Sequence, residues 1–176
     1  RLKKQISTNK DAKLEDEVLG KLSLALENEN PVRSFSLTDE EKKLIKPLGL
    51  LTEKPIIYAT NLGEDELANG NSFSQEVNTL ATKEGSECVK ISAQVEAELI
   101  ELGDEERDDY LNGLGVEEGG LISLIKATYR LLGLSTYFTT GEKETKAWTI
   151  SDGMTAPQAA GVIHTDFEKG FIRAET

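Results

Sequence analysis

The sequence predicts an α/β protein built on a parallel strand–helix–strand crossover, and three observations carry that prediction. Two short apolar runs, Pro55-Ile56-Ile57-Tyr58-Ala59-Thr60 and Cys88-Val89-Lys90-Ile91, have the length and composition of buried strands. Between them Phe73, Val77, Leu80 and Ala81 recur at helical spacing, and Gly85 supplies a stop. Strands joined through a helix run parallel, with helices covering the sheet.

The elements before the crossover are helical. Leu14, Val18, Leu22 and Leu26 recur every fourth residue between Asp11 and Glu27, with Leu19 and Ala25 widening the stripe. Asn28-Glu29-Asn30-Pro31 ends that helix, because proline lacks an amide hydrogen and biases Asn30 away from helical geometry. Thr38-Asp39-Glu40-Glu41 then reads as a capping box opening a second helix. Two helices on a short link suit a helical hairpin or one arm of a coiled coil. They equally suit ordinary amphipathic helices on a core, and the pattern does not separate these.

Beyond the second strand, Asp104-Glu105-Glu106-Arg107 opens a helix, with Asp104 expected as its cap. Gly113, Gly115, Gly119 and Gly120 mark a turn. Leu121, Ile122, Leu124, Ile125, Thr128 and Leu131 rebuild a helical stripe that Gly133 stops. Tyr137-Phe138-Thr139, a turn at Gly141 and Ala147-Trp148-Thr149-Ile150 predict a β-hairpin. Thr155-Ala156-Pro157 starts a last helix with proline in its first turn.

Composition narrows the function classes. Twenty Lys and Arg against 32 Asp and Glu give a net charge of −12, which repels phosphate backbones and argues against DNA coating. No apolar run spans a bilayer, so no membrane partner is expected. Cys88 stands alone, excluding a disulfide framework within the chain, and the expected compartment is the cytoplasm or an organelle interior. His164, the only histidine, has no nucleophile or acid at motif spacing, and a helix-end hydrogen bond is its expected role.

In parallel α/β sheets, ligands bind outside the carboxyl ends of the strands. There the chain has two short polar loops on one edge, Asn61-Leu62-Gly63-Glu64 and Ser92-Ala93-Gln94. An Asn carboxamide offers an acceptor and two donors, a fork that matches adenine N6 and N7, and guanine N7 and O6 less completely. The small Ser92 and Ala93 let backbone amides approach a planar ligand. Asn61 as a plain turn residue is the alternative, and spacing alone leaves both open.

The run Lys54 to Glu64 resembles the fourth guanine-nucleotide motif of the YchF/Obg-like ATPase family, in which N-x-x-E stands for the N-K-x-D of most GTPases. Ile91-Ser92-Ala93 resembles the fifth motif. Tyr137 to Ile150, and Thr155-Ala156-Pro157-Gln158-Ala159-Ala160-Gly161 through His164 to Arg173, resemble the opening of that family's TGS domain. The resemblance implies the carboxyl-side part of a Ras-like P-loop NTPase domain. It adds a helical coiled-coil insertion arm over 1–48, the nucleotide-domain part over 49–133, and the start of a β-grasp TGS domain over 134–176. It implies a nucleoside triphosphate hydrolase that binds ATP, or GTP, with Mg2+, and that associates with ribosomes. Asn61, Leu62, Glu64, Ser92 and Ala93 become the base-binding residues.

The departures matter equally. A P-loop requires G-x-x-x-x-G-K-[ST], yet Gly20-Lys21 is followed by Leu22 and lacks the earlier glycine. No D-x-x-G magnesium loop occurs. The expectation is therefore base recognition without catalytic or metal-binding residues in this chain, the phosphate chemistry lying on amino-terminal sequence outside it. A non-catalytic module contacting ribosome, RNA or protein through the helical arm and TGS segment is the alternative. Lys143, Lys146, Lys169 and Arg173 could give the latter a basic face, or simply a solvated one.

Overall fold

The structure, a computed structural model, describes residues 10–173; the ends of the expected 1–48 and 134–176 segments lie outside the described residues. The chain divides into two compact units. One holds the described residues up to Ile56 together with Leu80–Ser86, and the other holds Ile57–Thr79 with the described residues from Glu87 onward.

In the first unit, α1 (Lys10–Glu27) and α2 (Asp39–Ile45) close on a core of Val18, Leu22, Val32 and Ile45. Leu14, Leu37 and Leu50 flank that core. Glu29 adopts a left-handed φ of 60° where α1 ends, ahead of Pro31. The capping box forms as the spacing predicts. The Glu41 amide donates to Thr38 Oγ1 at 3.2 Å, and the Thr38 amide donates to Glu41 Oε2 at 2.8 Å. That backbone bond from Thr38 holds the Glu41 carboxyl below the usual carboxylate range, with Lys21 helping at 3.6 Å. With seven residues, α2 is about two turns long. The described residues thus form two helices on a shared core, one of the readings the pattern left open.

The second unit contains the expected crossover. β1 (Ile57–Asn61) and β2 (Glu87–Ile91) pair in parallel, from Ile57 opposite Glu87 to Asn61 opposite Ile91. The helix between them is α3 (Ser72–Glu84), which crosses from one unit to the other. A helix the periodicity did not indicate, α4 (Ala93–Ile100), follows β2 directly. Next comes α5 (Asp104–Gly113), whose cap is Gly103 rather than the expected Asp104. The Gly103 amide donates to Glu106 Oε2 at 3.1 Å, so the acidic third helical residue reaches back and Asp104 starts the first turn.

α6 (Gly120–Leu132) packs on both strands. Gly120 is where it comes closest: a Cβ there would lie 2.7 Å from the Ile91 Cα. The amide of Leu121, in the first turn of α6, donates to Glu96 Oε1 of α4 at 3.1 Å. Gly133, at φ 58°, ends the helix and leads straight into the hairpin of β3 (Leu134–Thr140) and β4 (Thr145–Ser151). The Tyr137 hydroxyl donates to the Ala159 carbonyl of α7 (Ala156–Ile163) at 2.9 Å. α8 (Thr165–Lys169) ends the described chain, and its first turn donates the Asp166 amide to His164 Nδ1 at 3.2 Å, the helix-end role expected of that histidine. Among the described residues no helix is long and apolar enough to cross a membrane.

Candidate functional site

The parallel pairing brings the carboxyl ends of β1 and β2 to one edge, with Asn61 and Ile91 in register. Two hydrogen bonds join the loops there. The Leu62 amide donates to the Ile91 carbonyl at 2.8 Å, and the Ala93 amide donates to Asn61 Oδ1 at 3.0 Å. The second bond fixes the carboxamide, because only its oxygen can accept from an N–H. Asn61 is otherwise exposed, so its two N–H donors and a remaining oxygen lone pair are the groups a ligand can meet.

Burial sorts the five sequence-predicted site residues. Asn61, Glu64 and Ala93 are exposed, whereas Leu62 and Ser92 are buried at 7% and 1%. Ser92 caps α4 by accepting from the Val95 amide, so its hydroxyl shapes the loop. Leu62, expected among the base-binding residues, is turned into the protein and its amide is committed to the Ile91 carbonyl, so it shapes the loop from within. The Ala93 amide, expected to approach the ligand, is instead committed to Asn61.

Glu64 opens a single 3-10 turn, Glu64–Glu66, that Leu67 anchors into a core with Val95, Leu99 and Leu111. Tyr110 of α5 packs against this core and points its hydroxyl at both Glu64 Oε1, 3.3 Å away, and Glu98 Oε2. The bond to Glu98, with the Glu64 charge nearby, pushes the Tyr110 hydroxyl up to about 12, and it holds the Glu98 carboxyl below its usual range. Tyr110 belongs to no motif and escapes a reading of the sequence alone. The one available signal was an aromatic beside Leu111 at the end of an otherwise charged helix. Among the described residues no group of three or more His, Cys, Asp or Glu could hold a metal ion.

Two linked polar loops, one carrying a carboxylate and the other starting a helix, stand at the carboxyl edge of the parallel strands of an α/β domain, the edge at which such sheets generally bind ligands. Comparison with known proteins gives the family. Residues 134–176 match the YchF-GTPase_C family, described as a protein of unknown function (DUF933). The chain is 53% identical over 174 residues to the ribosome-binding ATPase YchF of Escherichia coli O157:H7, covering 99% of this chain and 48% of that protein. It is 51% identical over 170 residues to the protein of the same name in Bacillus subtilis (strain 168), covering 96% of this chain and 46% of that protein. The solved structure of the Schizosaccharomyces pombe YchF GTPase matches with a TM-score of 0.78 and 36% identity, over 92% of this chain and 43% of that one.

The chain belongs to the YchF family. It spans about half the length of the curated relatives it matches.

Proposed function

We propose that this chain supplies the base-reading loops of an ATP site in a ribosome-associated nucleoside triphosphate hydrolase. The observation that carries the reading is the bond from the Ala93 amide to Asn61 Oδ1, which holds two loops of one sheet edge as a single surface. On it Asn61 donates to a base, Glu64 presents a carboxylate at the rim, and Leu62 and Ser92 set the loop shapes from within. The relatives' names, ribosome-binding ATPase and GTPase, agree with a purine nucleotide and with the ribosome as partner. A ribosomal partner puts the protein in the cytoplasm or an organelle interior. We read 49–133 as the carboxyl-side part of a Ras-like domain, 1–48 as the returning strand of a helical arm, and 134–176 as the start of a TGS domain.

The sequence has neither a P-loop nor a D-x-x-G loop, so we assign no Mg2+ ligand to this chain. Phosphate and metal chemistry therefore fall to other parts of the protein, and no step is assigned to this chain beyond binding and orienting the base. A second reading, a module for RNA or protein, has one observation behind it. The Lys146 ammonium sits 4.1 Å over the half-buried Trp148 ring on one face of the hairpin, and Phe138, 72% exposed, stands on the other face.

Calorimetric titration of the full-length protein tests the base-site reading. Asn61→Ala removes both the donor fork and the bond between the loops, and should weaken ATP and GTP alike by roughly tenfold or more. Unchanged affinity for both nucleotides would refute the site.

A further inference from the structure

Glu64 raises a question that the base-site reading leaves open. A carboxylate beside a purine favours guanine, whose ring N–H and exocyclic amine donate to it, and it repels the N1 lone pair of adenine. Glu64 stands at the position where, by the resemblance, most GTPases carry such a carboxylate, so binding ATP at this site requires something that restrains it. Among the described residues the Glu64 carboxylate has one hydrogen-bond partner, the Tyr110 hydroxyl.

Tyr110 is well built for restraint. Its ring is anchored against the core of Leu67, Val95, Leu99 and Leu111, and Leu67 directly follows the turn that carries Glu64. Its hydroxyl lies between two carboxylates from different elements, Glu64 before α3 and Glu98 of α4. Glu98 is itself held by Gln94 Nε2 at 3.2 Å, one turn earlier on the same helix. The hydroxyl keeps its proton throughout the physiological range, because the Glu98 bond and the nearby charges oppose its ionisation. It is therefore a permanent donor, fixed by packing, that two carboxylates share.

We propose that Tyr110 is a positioning residue for Glu64: it holds that carboxylate toward α5, off the base edge, and so biases the site toward adenine over guanine. This rests on the reading that the loops at Asn61 and Ala93 bind the base. Freed from Tyr110, the Glu64 side chain gains rotamers that reach a guanine edge, and adenine meets the repulsion it had been spared. The charge that remains at Glu98 competes for the same hydroxyl and sets how firmly Glu64 is held.

The test uses dissociation constants of the full-length protein for ATP and GTP. Tyr110→Phe keeps the ring and removes the hydroxyl, and should move the ATP-to-GTP affinity ratio about three- to tenfold toward GTP, the range of one ordinary hydrogen bond. In a Glu64→Ala background the same change should leave the ratio where Glu64→Ala alone puts it. A merely structural tyrosine would weaken both nucleotides together and leave the ratio fixed, and that result overturns the proposal. Glu98→Gln supplies an independent arm. Removing the competing charge lets the hydroxyl serve Glu64 more fully, so the ratio should move about twofold toward ATP; no movement, or movement toward GTP, counts against it. If Glu64→Ala changes the ratio but Tyr110→Phe does not, the Tyr110 inference fails alone. If Asn61→Ala and Glu64→Ala both leave binding untouched, the base site fails and takes this inference with it.

Discussion

The parallel pair β1–β2 and the antiparallel hairpin β3–β4 belong to one compact unit yet are held by different means. Beside the loops of the parallel pair lies a core of Leu67, Val95, Leu99 and Leu111, and α6 is pressed onto the strands so closely that only glycine fits at position 120. The hairpin and its helices have no comparable core. Every buried hydrophobic residue among those described precedes Gly133, and beyond it Phe138, Phe167 and Ile172 are 72%, 54% and 92% exposed. Polar ties hold this region, such as Tyr137 to the Ala159 carbonyl and Trp148 Nε1 to Thr139 Oγ1 at 2.9 Å. Parallel strands need distant chain to pair and are stabilised by burial, whereas a hairpin closes locally and can form with its apolar faces still open.

The contrast breaks most visibly under core truncation. Leu99→Ala should lower stability by about 2–5 kcal/mol, measured by chemical denaturation of the chain. Phe138→Ala, at an exposed hairpin position, should change it by no more than about 0.5 kcal/mol. Equal losses would mean that the hairpin has a core of its own. Gly120→Ala comes next, at about 1–3 kcal/mol, since the added methyl meets the Ile91 backbone rather than a movable side chain. Hydrogen exchange sharpens the comparison without mutation: amides of Ile57–Asn61 and Glu87–Ile91 should outlast those of Leu134–Thr140 and Thr145–Ser151.

The smallest expected effects are electrostatic. The Glu98 carboxyl sits below its ordinary 4.5, so its stabilisation is present above that pH and is lost as pH falls through the folded value. The Tyr110 hydroxyl moves the other way, from 10 to about 12. Its contribution is complete below pH 10 and fades between 10 and 12. Tyr110→Phe should therefore flatten the alkaline limb of a plot of melting temperature against pH, while both limbs stay as they are for Phe138→Ala.

Local signals made much of this fold legible in the sequence. The fourfold spacing of Val18 and Leu22, the capping box at Thr38 and Glu41, the two apolar runs and the Gly133 stop all depend on neighbours in the chain, and each recurs in the structure. The site was legible only in part. That Asn61 and Ala93 would share an edge followed from the parallel crossover, and the resemblance singled out the same residues. The inward turn of Leu62 and the reach of Tyr110 to Glu64 across 46 residues leave no periodic trace, because they arise from how the loops settle on a core assembled from several helices. The burial of Leu62 also changes how selectivity should be probed. Leu62→Lys would place a charge at a 7% exposed site and destabilise the loop, so Glu64 is the better position to vary.

Photolabelling the full-length protein with 8-azido-ATP, followed by mapping of the modified peptide, tests most directly whether these loops hold the base. The reagent is reactive at the purine itself and marks whatever lies within bonding distance of the ring. The account predicts modification within residues 61–66 or 92–94, suppressed by unlabelled ATP and lost in Asn61→Ala. ATP-suppressible labelling confined to other segments, with 61–66 and 92–94 unmodified, would contradict it.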